Sequence, residues 1–123
     1  PEMCPTELLQ FQNLLTRLPP DKRRQVQPIF ISVDPKRDTA EVLDPYVSHF
    51  GEEILALTGS EAELRKVADQ YGAQFRYVPT GDSYTVDHTV STFLIDTGGK
   101  LVRIFPYGTP TSEMLKLVSR LLP

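Results

Sequence analysis

The chain has 123 residues, 16 acidic against 13 basic side chains, a formal net charge of −3 and 40% hydrophobic residues. These values fit one soluble domain over residues 1–123, long enough to bury a core without a disulfide framework or structural zinc, neither of which one cysteine could supply. Interspersed charge argues against a nucleic-acid partner, no apolar run approaches the ~20 residues of a membrane span, and the N-terminus lacks the basic and apolar regions of a secretory leader. The opening Pro1-Glu2-Met3-Cys4 reads as a chain cut in mid-motif, so the expectation is a domain truncated at its N-terminus, whose parent could carry a membrane anchor further upstream.

A first helix is expected from Pro5 to Leu18, with proline at an early position, Glu7 in the first turn, Pro19-Pro20 as the stop and a buried stripe of Leu8, Phe11, Leu15 and Leu18. Lys22-Arg23-Arg24, the densest basic cluster, falls in a loop. The run Ile29-Phe30-Ile31-Ser32-Val33 reads as a short central strand ending at Asp34-Pro35. Asp38-Thr39-Ala40-Glu41 has capping-box spacing and opens a helix toward Phe50, which Pro45 should kink or interrupt. Ile54 to Leu57 gives another strand. Ser60-Glu61-Ala62-Glu63 is a cleaner capping box for a helix that ends at Tyr71-Gly72, with Leu64, Val67, Ala68 and Tyr71 inward.

A short strand from Phe75 to Val78, a turn at Pro79-Thr80-Gly81-Asp82 and a polar approach to Asp87-His88 follow. Thr92 to Ile95 and Leu101 to Phe105 are strands joined through Asp96-Thr97-Gly98-Gly99, and a last helix from Ser112 to Leu122 buries Leu115, Val118 and Leu122. This order predicts an α/β fold with a mixed central sheet flanked by helices.

Cys4 stands at the start of the first helix, where unpaired N–H groups and the positive end of the helix dipole favour thiolate over thiol. A thiol so placed suits a nucleophile, a redox thiol or a soft metal ligand. The other reading of a free cysteine, a small core hydrophobe, fits poorly beside Pro1, Glu2 and Pro5. His88 is the second candidate; Asp87 beside it is placed to orient the imidazole or tune its charge. Thiolate and imidazole together would suit copper, zinc or a proton relay. His49, next to Phe50, has no such context and reads as a surface residue.

The terminal hairpin and helix, the helix-start cysteine and the strand Thr92-Phe93-Leu94-Ile95-Asp96 resemble the thioredoxin superfamily. That resemblance implies a loop before the hairpin facing the cysteine helix, which would bring His88 toward Cys4. Ser91 occupies the place of the superfamily's cis-proline, which speaks against simple dithiol exchange.

More specifically, Cys4-Pro5-Thr6, the stretch Phe30 to Thr39, Leu57-Thr58-Gly59-Ser60, Val86-Asp87-His88 and Phe105-Pro106-Tyr107-Gly108-Thr109-Pro110 resemble the Sco/SenC family of copper proteins. The resemblance implies copper, Cu(I) or Cu(II), held by two cysteines in the pattern Cys-x-x-x-Cys-Pro and a distant histidine. Cys4 matches the second cysteine and His88 the histidine, with Asp87 behind it; the first cysteine's place, and those of the family's first strands, fall before Pro1. It further implies a monomeric metallochaperone or thiol-disulfide protein that serves the CuA centre of cytochrome c oxidase, with the CuA-bearing subunit or another copper chaperone as partner. The expected location is the bacterial periplasm or the outer face of the inner membrane, which the Tyr-Gly-Thr-Pro ending favours, or else the mitochondrial intermembrane space.

Asp34, Arg37 and Asp38 recur in the family string; their residue types read as a strand end, a loop ion pair and a helix cap. Two other functions remain open: a peroxiredoxin-type thiol peroxidase, since Cys4-Pro5-Thr6-Glu7 resembles that peroxidatic loop, and an interaction domain without chemistry. Pro1 in place of the peroxidatic threonine and the Asp87-His88 pair weigh against the first. Tyr107 to Pro110 and the Lys22-Arg23-Arg24 loop are exposed turns that could touch a partner.

Overall fold

Helix α1 (Cys4–Arg17) carries an acidic residue, Glu7, in its first turn and a basic one, Arg17, in its last, both favourable to the helix dipole. The structure, a computed structural model, describes residues 4–123, and within α1 the side chains from Thr6 onward. Leu8, Leu15 and Leu18 are buried as the stripe predicts, while Phe11 is only partly covered. Leu14 is buried too, because adjacent helical positions lie about 100° apart and α1 serves two cores. Leu8 and Leu15 pack with Val47 and Ile54, backed by Phe30 and Ala56; Leu14 packs with Phe105 and Met114.

The basic cluster forms a short helix, α2 (Pro20–Arg23), rather than a loop. Pro20 at its first position presets the helical φ at no hydrogen-bond cost. Arg23 pairs with Glu53, so this cluster is partly neutralised within the fold.

Strand β1 (Ile29–Ile31) pairs in parallel with β2 (Leu55–Leu57) through the crossover helix α3 (Ala40–Ser48), with Phe30 opposite Ala56. Only that middle pair faces the core. Ile29 and Ile31 remain 43% and 41% exposed, so β1 is not the fully covered central strand that its apolar run suggests. Alternation sends every second side chain to the opposite face, which no described element covers tightly.

Helix α3 starts one residue later than the capping-box spacing implies. Thr39 holds the N-cap position without a side-chain cap, and the Asp38 carboxylate instead accepts a 2.6 Å hydrogen bond from Ser32 Oγ. The helix also runs through Pro45 without ending. The carbonyl that Pro45 leaves without an N–H partner belongs to Glu41, an exposed residue where water can serve.

Helix α4 (Glu61–Tyr71) forms as predicted. Ser60 Oγ accepts from the Glu63 N–H at 3.2 Å, the Glu63 carboxylate accepts from the Ser60 N–H at 3.0 Å, and Gly72 closes the helix at φ 72°. Leu64 is buried; Val67, Ala68 and Tyr71 are partly covered. Ser60→Ala should therefore cost about 1 kcal/mol in a urea melt. The hydrogen bonds from the Ser60 N–H and hydroxyl hold the Glu63 carboxyl below its usual range. A depressed carboxyl favours the fold above its unfolded pKa and loses that contribution as pH falls through the lower folded value. Glu63→Gln should narrow the stability difference from the parent chain as urea melts move from about pH 7 to about pH 3.

The segment before His88 is a strand, not an irregular approach. β3 (Phe75–Thr80) and β4 (Ser83–His88) form an antiparallel hairpin with Phe75 opposite His88 and Pro79 opposite Tyr84. Gly81, at φ 65°, supplies the positive φ of the two-residue Gly81-Asp82 turn. The turn is thus two residues shorter than its Pro79-Thr80 start suggests, and both of those residues belong to the strand.

Strands β5 (Ser91–Ile95) and β6 (Leu101–Pro106) form the predicted second hairpin, in which Asp96 Oδ1 accepts from the Gly98 and Lys100 N–H groups, each at 2.9 Å. Helix α5 (Thr111–Leu121) buries Met114 and Val118, whereas Leu115 and Leu122, expected inside, are only partly covered. The fold is α/β with parallel and antiparallel pairings, as predicted, but the described strands form three two-stranded sheets and not one continuous sheet. The crossover and the two hairpins each pair neighbours in sequence, and no described strand bridges one pair to the next. No described helix is long and apolar enough to cross a membrane.

Candidate metal centre

Cys4 opens α1; its thiol lies outside the described side chains, as do Pro1, Glu2 and Met3 altogether. What can be followed is the neighbouring turn. Glu7 stands three residues after Cys4, hence on the same side of the helix. Burial pushes the Glu7 carboxyl above its ordinary range, and the charge of His88 acts in the opposite direction. His88 is thus felt by Glu7. Composition gave no hint of a role for Glu7 beyond helix-dipole complementarity; its helical offset from Cys4 was the available signal.

His88 ends β4 and is partly covered. Its Nδ1 lies 3.0 Å from the Thr89 carbonyl oxygen. A carbonyl only accepts, so this contact puts a proton on Nδ1, and Nε2 is the ring nitrogen that a metal would take. The expected partnership with Asp87 is not found. Strand alternation turns Asp87 to the opposite face, where its carboxylate lies 3.4 Å from Arg76. Thr89 does what the sequence suggested for Asp87.

Tyr84, Val86 and His88 share the partly covered face of β4, and the rings behind them form a row. Tyr84 meets Tyr77 edge-on at 5.6 Å between centroids, and Tyr77 meets Phe75 at 6.0 Å. Phe75 is the cross-strand partner of His88. At this end Arg65 of α4 lies 4.3 Å above the Phe75 ring, donates to the Phe75 carbonyl at 3.0 Å and is anchored to Glu61 at 3.1 Å.

At the far end, the loop after β1 holds the hairpin. The Tyr84 hydroxyl donates to Asp34 at 2.7 Å, the Tyr77 hydroxyl donates to the Val33 carbonyl at 2.7 Å, and Arg37 lies 3.7 Å above the Tyr84 ring. Arg37 also donates to Ser83 Oγ at 3.0 Å and to the Tyr84 carbonyl, and approaches Asp34 at 3.5 Å. Asp34 is buried, with its backbone N–H on Ser32 Oγ at 3.2 Å. The hydrogen bond to Asp34, then burial, raises the Tyr84 hydroxyl above the ordinary tyrosine range. The predicted local ion pair is thus also a long-range latch, a role that loop spacing alone cannot reveal.

His49 is exposed, its ring edge-on to Phe50 at 5.4 Å, in keeping with a surface residue. Among the described residues, no three His, Cys, Asp or Glu side chains converge on one point.

A helix opened by the cysteine, a βαβ crossover and a closing ββα unit define a protein of the thioredoxin-like class. The SCO1/SenC family model matches residues 1–123, and the chain belongs to that family. A SCO2-like protein of Rickettsia prowazekii is 34% identical over 120 residues, covering 95% of this chain and 58% of the relative, so the chain spans less than two thirds of that relative's length. Mitochondrial SCO1 of Saccharomyces cerevisiae is 36% identical over 105 residues, covering 83% of this chain and 36% of that protein. Relatives thus occur in bacteria and mitochondria. Among solved structures, apo Sco1 of Thermus thermophilus superposes with a TM-score of 0.89 at 35% identity, covering 99% of this chain and 73% of that one. Copper-bound ScoI of Bradyrhizobium japonicum gives 0.86 at 36% identity, covering 99% and 78%.

Proposed function

We propose that the chain is one copper-handling domain, with Cys4 and His88 as metal ligands and copper as its cargo. The family pattern pairs these two ligands with a further cysteine. The reading is carried by the SCO1/SenC match over residues 1–123 together with the likeness to a copper-bound ScoI at 36% identity. Two facts about the described residues fit a soft, exchangeable site. The His88 ring turns Nδ1 to the Thr89 carbonyl at 3.0 Å, and the hairpin end that bears it is only partly covered. Thiolates suit Cu(I), and an imidazole added to them accommodates Cu(II). A half-open site releases copper by ligand exchange, which a closed tetrahedral cage would slow.

By family membership, the receiving site is the CuA centre of cytochrome c oxidase during its assembly. The partner is the CuA-bearing subunit or another copper chaperone, the protein acts as a monomer, and the compartment is the periplasm or the outer face of the inner membrane. Cys4 would also supply the thiolate for thiol-disulfide exchange with that target. Titration of the full-length protein with Cu(II) should saturate at one equivalent, with sulfur-to-copper charge-transfer absorption that Cys4→Ser abolishes. The parent's electron paramagnetic resonance spectrum should show histidine-nitrogen hyperfine coupling, and His88→Ala should abolish stable Cu(II) binding. Stoichiometric Cu(II) binding retained in both variants would overturn the ligand assignment.

A further inference from the structure

The β3–β4 hairpin that carries His88 packs chiefly on itself. A two-stranded hairpin has marginal stability alone, so its orientation must come from the few side chains that tie it to neighbouring elements. These ties are concentrated at its two ends. Arg65 covers the Phe75 ring and grips the Phe75 carbonyl beside His88, while Arg37 covers the Tyr84 ring and grips Ser83 and Tyr84 at the turn. Each guanidinium uses its face on an aromatic ring and its edge on hydrogen-bond acceptors, a double use that lysine cannot reproduce. Each is held in turn by an acid of its own element or loop: Glu61 for Arg65 and Asp34 for Arg37. The ring row Tyr84, Tyr77, Phe75 connects the two grips along the hairpin.

Taking His88 as a copper ligand, as proposed above, we infer that Arg65 and Arg37 are positioning residues, a pair of clamps that fix the β3–β4 hairpin and with it the end of β4 that carries His88. Neither touches the metal. Their contribution is the fraction of molecules whose hairpin is already in place, and apparent affinity scales with that fraction. Removing a clamp should weaken the imidazole-dependent state, Cu(II), and leave thiolate-dependent Cu(I) binding nearly intact.

Arg65→Gln and Arg37→Gln, made separately in the full-length protein, should each lower Cu(II) affinity by about 10–100-fold, the usual range for groups that orient a ligand. Cu(I) affinity, measured by competition with a chromophoric chelator, should change by less than about threefold, and hairpin amides from Arg76 to Asp87 should exchange faster in the copper-free protein. Arg65→Lys should recover only part of the Cu(II) loss, because its ammonium can lie over the ring but lacks the fork. Unchanged Cu(II) affinity would overturn the inference, as would equal loss of both oxidation states, which marks a general loss of structure. His88→Ala in the same assay separates the two readings. If it spares Cu(II), the ligand assignment fails; if it abolishes Cu(II) while both clamp variants bind normally, only the clamps fail. Should either glutamine variant fail to fold, Glu61→Gln, which releases the acid that anchors Arg65, and Ser83→Ala, which removes an acceptor of Arg37, give the same readouts.

Discussion

Leu8→Ala should cost about 3 kcal/mol of stability, within the usual 2–5 kcal/mol for emptying a buried leucine site. Leu8 is 0% exposed and packs with Leu15, Val47 and Ile54, so the site is walled by α1, α3 and the approach to β2 and cannot collapse around an alanine. For a domain of this size the melting temperature should fall by about 10 °C or more. Leu9→Ala is the matched control; at 47% exposure it should stay within about 1 kcal/mol of the parent. Leu8→Met, nearly volume-conserving, should cost less than about 1.5 kcal/mol. Leu8 follows Glu7 and lies one turn beyond Cys4, so its packing also fixes where the helix start sits. If thermal melts of Leu8→Ala and Leu9→Ala coincide, α1 is not anchored as described.

The elements most legible in the sequence were those whose signal is local. Ser60 and Glu63 cap α4 through groups three residues apart, Gly72 ends it, and Asp96 with the Gly98-Gly99 pair turns the β5–β6 hairpin; each of these needs no partner from elsewhere in the chain. Local reasoning failed where a distant acceptor competed. Asp38 had the spacing of a cap, but Ser32 Oγ, six residues back, takes its carboxylate. β4 was hidden because Ser83, Thr85 and Asp87 are polar; the alternation with Tyr84, Val86 and His88 marks a half-covered strand, yet strand propensity alone underrates it. Met114 and Leu14 become core only because α1 and α5 meet there, a tertiary fact with no local trace. In the site, Cys4 and His88 stood out by residue type and family resemblance. Glu7, Thr89 and Arg65 did not, and Arg37, which recurs in the family string, read only as part of a loop ion pair, since each acts through a contact that exists only in the folded chain.

Asp34→Ala should be the most damaging polar substitution among the described residues, at about 1.5–3 kcal/mol, the range for a hydrogen bond to a charged group. Asp34 is 8% exposed, and its carboxylate receives the Tyr84 hydroxyl at 2.7 Å and faces Arg37 at 3.5 Å. Truncation strands the hydroxyl and removes the counter-charge of a guanidinium that is itself partly in water, so the loss falls short of the 3–5 kcal/mol for a fully buried pair. Asp34→Asn keeps an acceptor for Tyr84 and should cost less. Tyr84→Phe should cost about 1 kcal/mol, and the double variant less than the sum of its parts, because both single changes break the same bond. Additive urea-melt free energies would mean that Asp34 and Tyr84 do not interact in solution. A coupling of about 0.5 kcal/mol or more, together with faster exchange of the hairpin amides in Asp34→Ala, would tie the loop after β1 to the strand that carries His88.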